Sequence, residues 1–106
     1  MPDAPATTRI DVTTEQTVCG GTIPPPGEPF CHTNLVSRTV EVRQHRAVVA
    51  TATSGVDGHA SIDVPAGTYT VAASAPPAYL MCDEPDVSVA SGQTAPVTQN
   101  CTLNAP

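Results

Sequence analysis

The stretch Thr53-Ser-Gly-Val-Asp-Gly-His-Ala-Ser-Ile-Asp-Val-Pro-Ala-Gly-Thr-Tyr-Thr-Val71 decides the fold class. Asp57-Gly58 marks a turn, Ile62 and Val64 alternate with polar neighbours, Pro65-Ala66-Gly67 marks a second turn, and Tyr69 and Val71 resume the alternation. A two-residue period between turn signals is the mark of short half-buried strands, so the stretch predicts an antiparallel β meander.

Working outward, the same alternation recurs on both sides. Towards the N-terminus, Arg38 to Gln44 places Val40 and Val42 on one face and Thr39, Glu41 and Arg43 on the other, and Ala47 to Thr53 follows a turn near His45-Arg46. A further strand is expected from about Thr8 through Val18, with Ile10 and Val12 alternating, ended by Cys19-Gly20-Gly21. From Cys19 to Ser37 the spacing predicts a long loop, because Pro24, Pro25 and Pro26 cannot donate to a ladder. Towards the C-terminus, an irregular loop from Pro76 to Pro85 precedes a last hairpin, Asp86 to Ala90 and Thr94 to Leu103, around Ser91-Gly92. No window is free enough of Pro, Gly, Val and Thr to favour a helix. The expected fold is all-β: an antiparallel seven-stranded β-sandwich, with residues 1–7 as a flexible tail and 8–104 as a single domain.

Composition narrows what such a domain does. With 106 residues, one Phe, two Tyr and no Trp, the chain can build only a thin core of Val, Ile and Ala. Thin cores gain from cross-links, and four cysteines suit two disulfides and an oxidising, secreted or cell-surface location. Locality favours Cys19–Cys31 and Cys82–Cys101 among the three possible connectivities. In the second pair a register conflict arises: a two-residue turn sets the cysteines opposite one another, whereas a three-residue turn pairs Val87 with Val97 and is the better sheet. Starting the strand at Pro85 would leave Cys82 in a loop, outside the ladder.

The formal net charge of −6 disfavours nucleic acid, since a phosphate backbone needs a basic face. No apolar run is long enough for membrane insertion. MPDAPATTR lacks the regions of a signal peptide, so the chain reads as a mature secreted or ectodomain segment.

The Thr-rich strand end, Asp57-Gly58, the apolar strand, Pro65-Gly67 and the Tyr69-Val71 strand resemble the prealbumin-like modules of the Cna B-type and carboxypeptidase-regulatory-like families. The resemblance is strong over residues 36–75 and looser to about 103, and it implies a bacterial-type extracellular sandwich. Many Cna B-type modules carry an isopeptide bond that requires Lys; this chain has none, so the bond cannot form and the disulfides would take its place. Related hydrolases use His, Arg and a C-terminal tetrapeptide that TLNAP does not match, and related iron dioxygenases need a closely spaced His pair. Tyr69, Tyr79, His32, His45 and His59 supply residue types without that spacing. The expectation is a non-catalytic module without cofactor or metal.

Its function is then structural or binding, with another protein as partner. In a meander alternate connections share an end, so the 19–37 loop, the Ser54–Gly58 turn, the Ala75–Asp86 loop and both disulfides should cluster. Phe30, His32, Tyr79, Leu80 and Met81 are the candidate binding residues of that end. Two readings stand for its apolar members: they plug the open sandwich, or they meet a partner. A carbohydrate-binding module is the alternative, weakened by the scarcity of aromatic faces. Two charged groups complete the survey. Asp57, Asp83, Glu84 and Asp86 would form a solvated acidic rim or a calcium site at the disulfide end, and Arg43, His45 and Arg46 a basic tip at the other.

Overall fold

The computed structural model describes residues 7–20, 26–27 and 30–104; the expected tail at 1–6 and the triple proline up to Pro25 lie outside the described residues. The chain is all-β, in two sheets. The strands are β1 (Arg9–Cys19), β2 (Cys31–Leu35), β3 (Thr39–Gln44), β4 (Ala47–Thr53), β5 (His59–Asp63), β6 (Gly67–Ala73), β7 (Leu80–Cys82), β8 (Asp86–Val89) and β9 (Thr94–Asn104). One sheet runs β2-β1-β9-β7, with β5 also on β1; the other runs β4-β3-β6-β8. The core between them is made of small side chains, as the composition requires: Ile10, Val12, Ile62, Val64 and Ala95 from the first sheet, and Val40, Val42, Tyr69, Val71, Val87 and Val89 from the second.

Among the described residues nine strands replace the expected seven, and several neighbours differ. β2 and β7 arise in segments read as loops; β2 has all five residues exposed and β7 has only three, so neither carries the buried alternation that betrays a strand. The meander is also corrected. β5 pairs with β1 and β6 pairs with β3 and β8, so Pro65-Ala66-Gly67 is a corner between sheets and not a hairpin turn. A thin two-layer core needs Ile62 and Val71 on opposing walls, and alternating sheets in this way puts them there. The Tyr69 hydroxyl donates back to the Pro65 carbonyl and latches the corner. Among the described residues only β3 and β4 form a tight hairpin, around His45 and Arg46, which both have positive φ (52° and 67°). In β4, Val49 is an extra residue where the register shifts between Val42 and Arg43.

The first and last strands are parallel. β1 and β9 pair from Arg9↔Thr94 to Cys19↔Asn104, so the sheet is mixed where an antiparallel one was expected. On its other side β1 changes partner midway: Arg9–Thr13 pair with β5, and Glu15–Cys19 with β2. Thr14 marks the change. Its N–H donates to the Gly58 carbonyl (2.7 Å), and its carbonyl accepts from Val36 N–H (3.2 Å). β1 and β9, eleven residues each, outrun the strands of the four-stranded sheet, of which β4 and β6 have seven.

Candidate functional site

At the far half of β1 and β9 the sandwich becomes a single layer of four strands, β2-β1-β9-β7. Core packing ends at a polar plug. Gln99 follows Ala95 and Val97 in phase along β9 and is fully buried. Its Oε1 accepts from Arg38 Nη1 at 2.7 Å, and its Nε2 donates to the Asp83 carbonyl at 2.9 Å. Arg38 Nη1 also reaches the Glu15 carbonyl at 2.9 Å, while its buried Nη2 has no partner among the described residues. Desolvation lowers the Arg38 pKa from its ordinary value. Beside the plug, Thr14 Oγ1 donates to the Val36 carbonyl (2.6 Å), and Ser54 Oγ bonds Thr14 and accepts from Arg38 N–H (2.8 Å). These hydroxyls are committed to each other and to backbone partners.

Beyond the plug both expected disulfides are present. Cys19 faces Cys31 across the β1–β2 ladder, and Cys82 faces Cys101 across β7–β9, each with Cα atoms 4.0 Å apart. Cys82 lies within the β7–β9 ladder and not in the expected loop, and the expected hairpin of β8 with β9 does not form. β8 lies in the other sheet, on β6, so Val87 never pairs with Val97 or Pro96. The chain changes sheet between β7 and β8, with Asp83 N–H donating to Asn100 and the Pro85 carbonyl accepting from Val71 N–H.

The registers then place the candidate residues. His32, Val18, Leu103 and Leu80 form one row across all four strands, on the face that continues the core side of the sheet. Met81, opposite Thr102, belongs to the other face, with Thr17 and Thr33. Phe30, Tyr79 and Met81 are 51%, 69% and 68% exposed, so Phe30 is not the plug of the sandwich; Gln99 and Arg38 are. Leu80 is half-buried and borders a groove of about 440 Å³ with Ala73, Pro76, Cys82, Arg43 and Glu84. Leu35, 48% exposed, adds to the apolar surface of β2, and its exposure at a strand edge gave no signal in the sequence.

The charged clusters fall differently from expectation. Glu84 does not gather with Asp57. Its Oε2 lies 3.5 Å from Arg43 Nη1, and with Arg43, His45, Arg46 and Thr70 it lines a second cleft of about 360 Å³. Asp86 accepts from Thr70 Oγ1 (2.6 Å), and Asp57 accepts from His59 N–H (3.2 Å). Among the described residues no group of three His, Cys, Asp or Glu side chains could hold a metal ion. Arg43 is also held by Glu41 Oε1 at 2.7 Å, which lowers the Glu41 pKa and raises that of Arg43. Sequence reasoning did not find Arg38, Gln99, Thr14 and Ser54. The available signal was phase: Thr14 and Gln99 continue the inward alternation of Ile10-Val12 and Ala95-Val97.

No family model, no curated protein and no solved structure matches this chain.

Proposed function

We propose that the chain is a non-catalytic, secreted or cell-surface module of the prealbumin-like kind, which presents its disulfide-braced single-layer sheet to another protein. One observation carries the reading: Phe30, Leu35, Tyr79 and Met81 stand exposed around a four-stranded end that two cross-strand disulfides stiffen and, among the described residues, no second sheet covers. A rigid scaffold that holds apolar side chains in water is preorganised for docking, because little entropy remains to be lost there on binding. Both disulfides fit an oxidising compartment.

Replacing the exposed Phe30, Tyr79 and Met81 with alanine tests the docking role. The expected result is an unchanged melting temperature and loss of a partner captured by the wild-type protein from the extracellular fraction of its source. Equal capture by both proteins, or a melting temperature that falls along with capture, would overturn it.

A further inference from the structure

The parallel pairing of β1 and β9 places the two chain ends of the domain at opposite ends of its longest ladder. β1 enters the sheet at Arg9 and β9 leaves it at Asn104, roughly 33 Å away at 3.3 Å per residue. Tension between these points pulls β1 and β9 along their own axes in opposite directions. Eleven paired positions then resist together, because the ladder bonds run across the strands and share the load. A load that opened the ladder from one end would break the same bonds one after another. β1 is also embedded on its other side for nearly its whole length, by β5 over Arg9–Thr13 and by β2 over Glu15–Cys19.

The disulfides complement this ladder without crossing it. Cys19–Cys31 ties β1 to β2 and Cys82–Cys101 ties β9 to β7, so the β1–β9 contact itself stays non-covalent. Each bond closes a loop, with sequence separations of 12 and 19. If the ladder gives way, the chain inside those loops cannot extend. At about 3.6 Å per residue the two loops together withhold roughly 11 nm of length.

We infer that the domain is a tension-bearing unit, in which β1 and β9 form a shear clamp and the two disulfides limit extension once the clamp yields. This inference rests on the reading of the chain as a non-catalytic, secreted or cell-surface module, and not on its docking role. It goes further by naming the load path and the device that limits extension.

Single-molecule pulling of the intact domain tests it in two geometries. In the first, handles are fused before Thr7 and after the C-terminus, which loads the clamp in shear. In the second, one handle stays at the N-terminus and the other is clicked to an azide-bearing amino acid in place of the exposed Ser91, which peels β9 from β1. The expected rupture force in the first geometry is at least twice that in the second at the same pulling speed. A dithiol reductant should lengthen the first geometry's extension by about 11 nm, as both loops open. Equal forces in the two geometries would overturn the clamp, and an extension unchanged by reductant would overturn the limiting role of the disulfides. Neither failure touches docking, since the Phe30, Tyr79 and Met81 replacements lie outside the β1–β9 ladder and should leave the force ratio intact.

Discussion

Arg38 and Gln99 meet at 2.7 Å beneath the last core layer, and this contact marks the point where the two-sheet sandwich gives way to a single sheet. Both side chains are held among backbone carbonyls, so removing one leaves the other's buried groups unpaired. Arg38→Met and Gln99→Leu are each expected to cost about 1–3 kcal/mol, the desolvation penalty of an orphaned group. The double variant should cost less than the sum of the two, because neither orphan remains. Urea denaturation of the four proteins gives the cycle.

Gly58 separates steric from entropic effects of glycine. It has φ +78°, and a Cβ there would lie 2.8 Å from the Thr14 carbonyl and 2.9 Å from Leu35 Cβ. Gly58→Ala should therefore destabilise by about 2 kcal/mol or more, through strain and the loss of the Thr14 junction. Gly20 has nothing within 4 Å of the corresponding position. Gly20→Ala should be within about 0.5 kcal/mol of wild type. Thermal melts of the two variants side by side test the contrast.

The two disulfides should differ in reach. Cys101 is fully buried beside Gln99, whereas Cys31 is exposed and its strand has no buried residue. Each loop closure stabilises by at most about 3 kcal/mol in the chain-entropy picture. Replacing Cys19 and Cys31 with alanine should release amide protection only in β2 and Glu15–Cys19. Replacing Cys82 and Cys101 should weaken protection across both sheets, since β9 and the plug depend on it. Hydrogen exchange by mass spectrometry resolves the two patterns.

The β3–β4 turn holds two residues with side chains in the left-handed region, which glycine occupies without a steric penalty. Arg46 at φ 67° is the clearer case. Arg46→Gly should raise stability by about 0.5–1 kcal/mol, and a denaturation midpoint unchanged or lowered would show that Arg46 contributes a contact that outweighs its strain.

Glu41 gives the domain a pH response. Its carboxyl is held below the ordinary range, first by the hydrogen bond from Arg43. A depressed folded-state pKa contributes stability above the unfolded value and loses it as pH falls through the folded one. The stability gap between wild type and Glu41→Gln should thus be present at pH 7 and close on acidification through and below the usual carboxylate range. A gap constant from pH 7 to 2 would rule the linkage out.

Local pattern was legible where one face of a strand is buried. Val40-Val42, Ile62-Val64 and Tyr69-Val71 alternate because each strand has a wet side and a dry side, and their strand assignments followed directly. β2 and β7 were not legible, since strands without a dry side leave no period to read. The cysteine pairing was legible from sequence separation. The opposition of Cys82 and Cys101 was not, because it depends on β7 joining β9 after the chain crosses between sheets.

The sequence by itself determined an all-β chain with a small-residue core and turns at Asp57-Gly58 and Pro65-Gly67, set by neighbours within a few residues, and two disulfides set by short separations of 12 and 19 residues. Only the tertiary structure decided that those turns are corners between sheets and that β1 lies parallel to β9, with Gln99 and Arg38 closing the core. These depend on which strands lie side by side, and residues far apart in the chain meet only when the two apolar sheet faces find each other. The load path from Arg9 to Asn104 is a property of that pairing.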